Sequence, residues 1–114
     1  MVFPHWTGRV DAEDGPAGRR WHQLIHALDK EVPFQAERAI AFTGFPVDEG
    51  VRRNQGRPGA AAGPAAIRGA CASLPDHFPA GTALYEAGDA GIAGDDLSGA
   101  QAVLGRRVAG LIGR

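Results

Sequence analysis

Residues 44–59 read GFPVDEGVRRNQGRPG and residues 63–68 read GPAAIR, and this stretch decides the fold. It follows an apolar run, residues 38–45, that contains Ile40 and Phe42 and suits a buried strand. Residues 48–63 hold four glycines and Pro58, which predicts a long loop. Because Pro64 occupies a position suited to the first residue of a helix, the stretch predicts a strand, a loop and then a helix.

Further elements lie on both sides of this stretch. Residues 1–15 are typical of an irregular arm, and the apolar spacing over residues 17–28 predicts a short helix. Residues 82–87 suit a second buried strand, and a helix with a 3.6-residue apolar period follows from Leu97, capped by Asp95 or Asp96.

The order strand, helix, strand, helix predicts an α/β fold with a mostly parallel sheet. Two strands are too few to be covered on both faces. We therefore expect residues 38–114 to be the opening βαβα portion of a larger domain that is truncated at its C-terminus. Residues 1–37 are expected to form an N-terminal arm and a short helix.

Composition excludes several classes of protein. Twelve basic residues face thirteen acidic ones, for a formal net charge of −1, so nucleic acid is not expected as a partner. No run of 18 apolar residues and no signal-peptide pattern occurs, which argues against membrane insertion and export. Cys71 is the only cysteine, so no internal disulfide can form, and a cytoplasmic location is expected.

Four side chains of the glycine-rich loop are the candidate substrate-binding residues: Arg52, Arg53, Asn54 and Arg57. Arginine offers a forked set of donors that matches a carboxylate. A loop that follows a parallel strand lies at the carboxyl end of the sheet, where such folds bind their ligands. An alternative of equal weight is that these residues brace the loop or form a subunit contact.

The other polar candidates have simpler interpretations. Asp48 and Asp89 each follow a strand and are expected to hold loops through backbone hydrogen bonds rather than to perform chemistry. His22 and His26 are four residues apart on the predicted first helix, but a solvated helix face is favoured over a metal site. Cys71 is expected to be a small core residue. No residue is assigned to catalysis or to metal binding.

The loop motif resembles the N-terminal portion of formimidoylglutamases, relatives of arginase and agmatinase in the ureohydrolase superfamily. The shared pattern is Gly-Phe-x-x-Asp-Glu-Gly-Val-x-x-Asn-x-Gly-Arg-x-Gly-Ala followed by Gly-Pro-x-x-Ile-Arg. Four more stretches agree, and they are GRVD at 8–11, RWHQ at 20–23, LYEAGD at 84–89 and GDDL at 94–97.

This resemblance implies a three-layer α/β/α fold and two Mn²⁺ ions that hydrolyse N-formimidoyl-L-glutamate to L-glutamate and formamide in histidine degradation. The Arg-rich loop would then belong to the rim that recognises the carboxylates of the substrate. The family's metal ligands lie in Gly-Gly-x-His, Asp-Ala-His-x-Asp and Asp-x-Asp motifs, and none occurs in this sequence. The chain alone is therefore expected to be inactive.

Two alternatives stay open. The first is a non-catalytic fragment that acts as a binding or structural module, associating through an open sheet edge and forming a homo-oligomer. The second is another ureohydrolase, an arginase or an agmatinase.

Overall fold

The computed structural model describes residues 5–28 and 34–114. Its described strands are β1 (Ile25–Ala27), β2 (Arg38–Gly44) and β3 (Thr82–Asp89), which form a parallel sheet in the order β1-β3-β2. The α-helices are α1 (Trp21–Leu24), α2 (Glu49–Arg53), α3 (Gly63–Ala72) and α4 (Leu97–Ile112). Two 3₁₀ helices cover Ala12–Gly18 and Ala60–Ala62. The α/β fold with a parallel sheet is confirmed.

The chain divides into two compact units, which we describe separately. The first consists of Met1–Phe42 and Ala65–Ala87, and the second of Thr43–Pro64 and Gly88–Arg114. The expected division between residues 1–37 and 38–114 stays a prediction. Within the described ranges, no helix is long and apolar enough to cross a membrane.

The first unit has its core around β3 and α3. Leu84 of β3 and Ala72 of α3 are buried, as is Trp6 of the N-terminal arm. Trp6 packs edge-on against Phe42 of β2 with ring centroids 5.1 Å apart, and the ring centroid of Trp21 lies 6.2 Å from that of Phe42. Aromatic packing therefore joins the arm and the first helix to the sheet.

The predicted helix over residues 17–28 is wrong in most of its length. Only Trp21–Leu24 is α-helical, and Ile25–Ala27 forms β1, paired in parallel with Leu84–Glu86 of β3. The apolar spacing that suggested a helix also fits a short helical turn that passes directly into a strand. Pairing with a strand some 60 residues later decides the outcome, and periodicity within one segment does not contain that information.

The second unit contains the ends of β2 and β3, the loop after β2, and α4. Val47, Ala90 and Ala100 are its buried apolar residues in the described part of the chain. The amide of Ala90 donates to the carbonyl of Gly44 at 2.9 Å, so the two strand ends stay together. Helix α4 begins as expected, because the Asp96 carboxylate accepts from the amide of Gly99 at 3.0 Å.

The predicted long loop over residues 48–63 contains regular structure. Residues Glu49–Arg53 form α2, and Ala60–Ala62 form a 3₁₀ turn that leads into α3. The glycines of this segment lie outside these elements or at their ends, except Gly50. Glycine content alone therefore overstated how irregular the segment is, since one helical turn needs only a few favourable residues.

Candidate functional site

The loop after β2 is held by the carboxylate of Asp48. Its Oδ1 accepts hydrogen bonds from the amide of Gly59 at 3.0 Å and from the amide of Ala61 at 2.8 Å. These backbone hydrogen bonds, that of Ala61 first, hold the pKa of Asp48 below its ordinary value. Asp48 therefore ties the end of the loop to its start, which confirms its predicted role in holding the loop.

Helix α2 places two of the candidate arginines against one carboxylate. Arg52 donates to Glu49 through Nε at 2.9 Å and through Nη2 at 2.6 Å, and Arg53 donates through Nε at 3.0 Å. The arginines, Arg52 first, lower the pKa of Glu49, and Glu49 in turn raises the pKa of Arg52. The i,i+3 and i,i+4 spacing on a helix brings these groups together.

Arg53 also reaches the segment before α4. Its Nη2 donates to the backbone carbonyl of Asp95 at 2.7 Å. Arg53 therefore uses donors on two acceptors that both belong to the second unit. This geometry supports the bracing interpretation for Arg53.

The turn between α2 and the 3₁₀ helix Ala60–Ala62 has an unusual backbone. Gln55 has a φ of 56°, the left-handed region that non-glycine residues seldom adopt. The next amide, of Gly56, donates to the carbonyl of Val51 at 2.9 Å, and a Cβ on Gly56 would lie 3.0 Å from Cγ1 of Val51. Such a backbone persists only where its surroundings impose it, so the turn is closely constrained.

Arg57 and Asn54 differ from the two braced arginines. Both are exposed, and within residues 5–28 and 34–114 neither side chain makes a hydrogen bond or an ion pair. Arg57 stands between the constrained turn and Gly59, whose amide is bound to Asp48. The structure thus separates the four candidates into two that bind Glu49 and two whose polar groups are free for a ligand.

A buried polar cluster lies in the first unit and was not expected from the sequence. Arg68 of α3 forms a two-pronged ion pair with Glu86 of β3, and both hydrogen bonds are 2.8 Å long. The indole Nε1–H of Trp6 donates to Glu86 at 2.6 Å. Arg68 stands in the quoted GPAAIR motif, but no local pattern indicates its partner 18 residues later.

The described residues do not fit a two-manganese site. Among them, only Asp11, Glu13 and Asp14 bring three possible ligand atoms within 4.8 Å of one another. The Asp11 carboxylate is already bound by Arg9 at 2.6 Å and by Arg20 at 3.1 Å, which lower its pKa, Arg20 first. The group has no histidine and already has cationic partners, whereas Mn²⁺ sites of the expected kind combine imidazole with free carboxylates.

The two candidate histidines do not share a helix face. His22 is in α1, where its Nε2 lies 2.8 Å from the carbonyl oxygen of Arg9, whereas His26 is in β1, with its ring 5.9 Å from that of Tyr85. Cys71 is half-buried on α3. None of these three residues forms part of a ligand group in the described ranges.

No protein-family model matches the chain. It is 49% identical over 110 residues to formimidoylglutamase of Geobacillus kaustophilus, covering 95% of this chain and 34% of that protein. It is 51% identical over 109 residues to formimidoylglutamase of Chromobacterium violaceum, covering 94% of this chain and 33% of the relative. It is 42% identical over 109 residues to formimidoylglutamase of Nocardia farcinica, covering 96% of this chain and 33% of that relative.

The chain therefore spans about a third of the length of the curated relatives it matches. The aligned regions cover almost the whole of this chain. The α/β fold also agrees with the fold that the resemblance implies. In sequence, the chain is thus similar to a segment of formimidoylglutamases.

Proposed function

We propose that this chain is the N-terminal portion of a formimidoylglutamase, a hydrolase that converts N-formimidoyl-L-glutamate to L-glutamate and formamide in histidine degradation. The observation that carries the proposal is 49–51% identity to relatives of that name over 94–95% of the chain. The loop of the second unit supports it, because arginine and asparagine side chains there suit a substrate that carries two carboxylates.

In this proposal the chain contributes substrate recognition and not the metal shell. A bound pair of Mn²⁺ ions would supply hydroxide at neutral pH, and no residue of this chain is expected to hold that pair. Support for this view comes from the group of Asp11, Glu13 and Asp14, in which the Asp11 carboxylate already binds Arg9 and Arg20. The expected contributions of this chain are the loop side chains Arg52, Arg53, Asn54 and Arg57.

The test is a chimera in which this chain replaces the matching segment of the Chromobacterium violaceum relative. We expect the chimera to release glutamate and formamide from N-formimidoyl-L-glutamate in a Mn²⁺-dependent reaction. The matched control is the 114-residue chain alone, which is expected to be inactive with and without Mn²⁺. Metal-dependent turnover by the chain alone would overturn the view that its metal ligands are supplied from elsewhere.

Arginine and agmatine as substrates separate this proposal from the other ureohydrolases. A folded chimera that hydrolyses either compound faster than N-formimidoyl-L-glutamate would assign the chain to arginase or agmatinase chemistry. We expect the formimidoyl compound to be preferred.

A second candidate function, a binding or structural module, is favoured by exposed apolar side chains of the first unit. Ile67 of α3 is 62% exposed and Ile40 of β2 is 37% exposed. Side chains of this kind favour association with another protein surface, which includes a second copy of the chain. A concentration-dependent dimer of the 114-residue chain in sedimentation, abolished by Ile67→Glu, would support this function, and a monomer at all concentrations would reject it.

A cytoplasmic location also belongs to the proposal. Its support is the single cysteine, which fits a reducing compartment.

A further inference from the structure

We propose that Arg57 is the residue of this loop that binds a carboxylate of the substrate, and that Arg52 and Arg53 position the loop. This inference rests on the proposed function, whose substrate is an acidic amino acid with a formimidoyl group. The four candidate residues differ in whether their side chains already bind another group of the protein.

The first step is the use of donors. Arg52 donates hydrogen bonds from Nε and Nη2 to the carboxylate of Glu49. Arg53 donates from Nε to Glu49 and from Nη2 to the backbone carbonyl of Asp95. The Nε–Nη2 edge is one of the edges with which a guanidinium holds a carboxylate in a two-pronged geometry. Binding a substrate through that edge would require both arginines to leave their present partners.

The second step is charge. Residues 48–59 contain three arginines and two carboxylates, so their formal charges sum to +1. Glu49 shares its negative charge between Arg52 and Arg53. Arg57 has no ion pair within residues 5–28 and 34–114, so the attraction for an anion is concentrated there.

The third step is the presentation of Arg57. Before it, the amide of Gly56 is bound to the carbonyl of Val51, and after it, the amide of Gly59 is bound to Asp48. Pro58 follows directly, and the residue before a proline is restricted to extended conformations. A side chain on a backbone that is already ordered loses less entropy when it binds, so its ion pair with a ligand contributes more to affinity.

The test uses the chimera and follows KM and kcat separately. We expect Arg57→Gln to raise KM for N-formimidoyl-L-glutamate at least tenfold and to change kcat less than threefold, with partial rescue by Arg57→Lys. The matched control Arg106→Gln, at an exposed residue of α4, should change KM less than threefold, and Arg52→Gln and Arg53→Gln should raise KM less than Arg57→Gln does. The opposite ranking, with a larger KM effect at Arg52 or Arg53, would overturn the inference while leaving the proposed function in place.

Substrate analogues supply a readout that a structural role would not move. N-formimidoyl-L-glutamine lacks the side-chain carboxylate, and N-formimidoyl-L-isoglutamine lacks the α-carboxylate. For one of the two analogues, the KM ratio between Arg57→Gln and the parent chimera should fall towards one, because the interacting charge is missing. An equal KM penalty with both analogues and with the parent substrate would contradict a carboxylate contact.

A chimera without activity would reject the proposed function, and direct binding would then decide the inference. L-Glutamate is added to the 114-residue chain while the side-chain Nε–H signals of its arginines are followed by NMR. A saturable shift at Arg57 with little change at Arg52 and Arg53 supports the inference. No shift at Arg57, or a larger shift at Arg52 or Arg53, overturns it.

Discussion

The guanidinium of Arg68 binds the carboxylate of Glu86 through two hydrogen bonds of 2.8 Å, with the side chains only 7% and 9% exposed. A buried ion pair of this kind contributes little beyond its desolvation cost while intact, but removing one partner leaves a buried charge uncompensated. Arg68→Met should therefore lower the free energy of unfolding of the 114-residue chain by about 3–5 kcal/mol, measured by urea denaturation.

The matched control for that prediction is Arg106→Met. Arg106 is an exposed residue of α4, so its loss should change the free energy of unfolding by less than about 0.5 kcal/mol. The double variant Arg68→Met/Glu86→Gln should recover part of the loss, because the uncompensated charge is gone. Equal unfolding midpoints for the Arg68 and Arg106 variants would show that the pair contributes nothing.

Trp6→Phe tests how the N-terminal arm is attached to β3. The substitution keeps an aromatic ring against Phe42 but removes the Nε1–H that donates to the Glu86 carboxylate at 2.6 Å. Hydrogen bonds to charged groups contribute about 1.5–3 kcal/mol, so a loss in that range is expected in urea unfolding. Trp21→Phe is the control and should cost less, because Trp21 donates to a neutral carbonyl, that of Pro75, at 3.2 Å in an exposed position. A larger loss for the Trp21 variant would contradict the prediction.

Because the carboxylate of Asp48 holds the loop through two backbone hydrogen bonds, we expect the order of the loop to depend on pH. Because hydrogen bonds from the amides of Ala61 and Gly59 depress the pKa of Asp48 below 3.8, the carboxylate stabilises the fold fully above that pH. The stabilisation is lost as the pH falls through the lowered pKa. Amide hydrogen exchange at Gly59 and Ala61 should therefore accelerate, relative to other amides, at pH values below 3.8.

Two variants of Asp48 sharpen that measurement. Asp48→Ala should accelerate exchange at both amides at neutral pH, and Asp48→Asn, which keeps an acceptor oxygen but no charge, should remove the acid-dependent step. The amide of Gly113, which donates to the carbonyl of Ala109 at the end of α4, is the internal reference. Unchanged exchange at Gly59 and Ala61 in the alanine variant would refute the assigned role.

The longer elements could be predicted from the sequence because each carries its own signal. Strand β2, helix α3, strand β3 and helix α4 all occur where apolar patterning and capping residues indicated them. Strand β1 could not be found in this way. Its three residues become a strand only through pairing with Leu84–Glu86, a contact between distant segments.

The role of the four loop residues in substrate binding stays a prediction, and the sequence did not indicate how these residues pair with their neighbours. The sequence indicated Asp48 as a holder of the loop and the arginines as carboxylate donors, but it did not indicate that Glu49 binds Arg52 and Arg53. The signal was available as i,i+3 and i,i+4 spacing, and it was hidden because residues 48–63 were interpreted as a loop without a helix. The pairing of Arg68 with Glu86 has no comparable local signal.

Gly44 and Gly69 form a matched pair for the last prediction, because the same methyl group meets opposite surroundings at the two positions. A Cβ on Gly44, at the end of β2, would collide with Oδ1 of Asp89 and would lie 2.7 Å from Cβ of Pro64. The proline ring and the strand end cannot both move away without disturbing the hydrogen bond between Gly44 and Ala90. Gly44→Ala should therefore lower the free energy of unfolding by about 1–3 kcal/mol, the usual cost of overpacking.

Gly69 lies within α3, and a Cβ there would meet no atom within 4 Å. Alanine restricts the unfolded chain and favours the helix, so Gly69→Ala should raise the free energy of unfolding by roughly 0.5–1 kcal/mol. Urea denaturation of the two variants beside the parent chain measures both changes, and the sign of the difference is the decisive quantity. If Gly44→Ala were as stable as Gly69→Ala, the close approach of Asp89 and Pro64 to Gly44 could not be a constraint on the loop that follows β2.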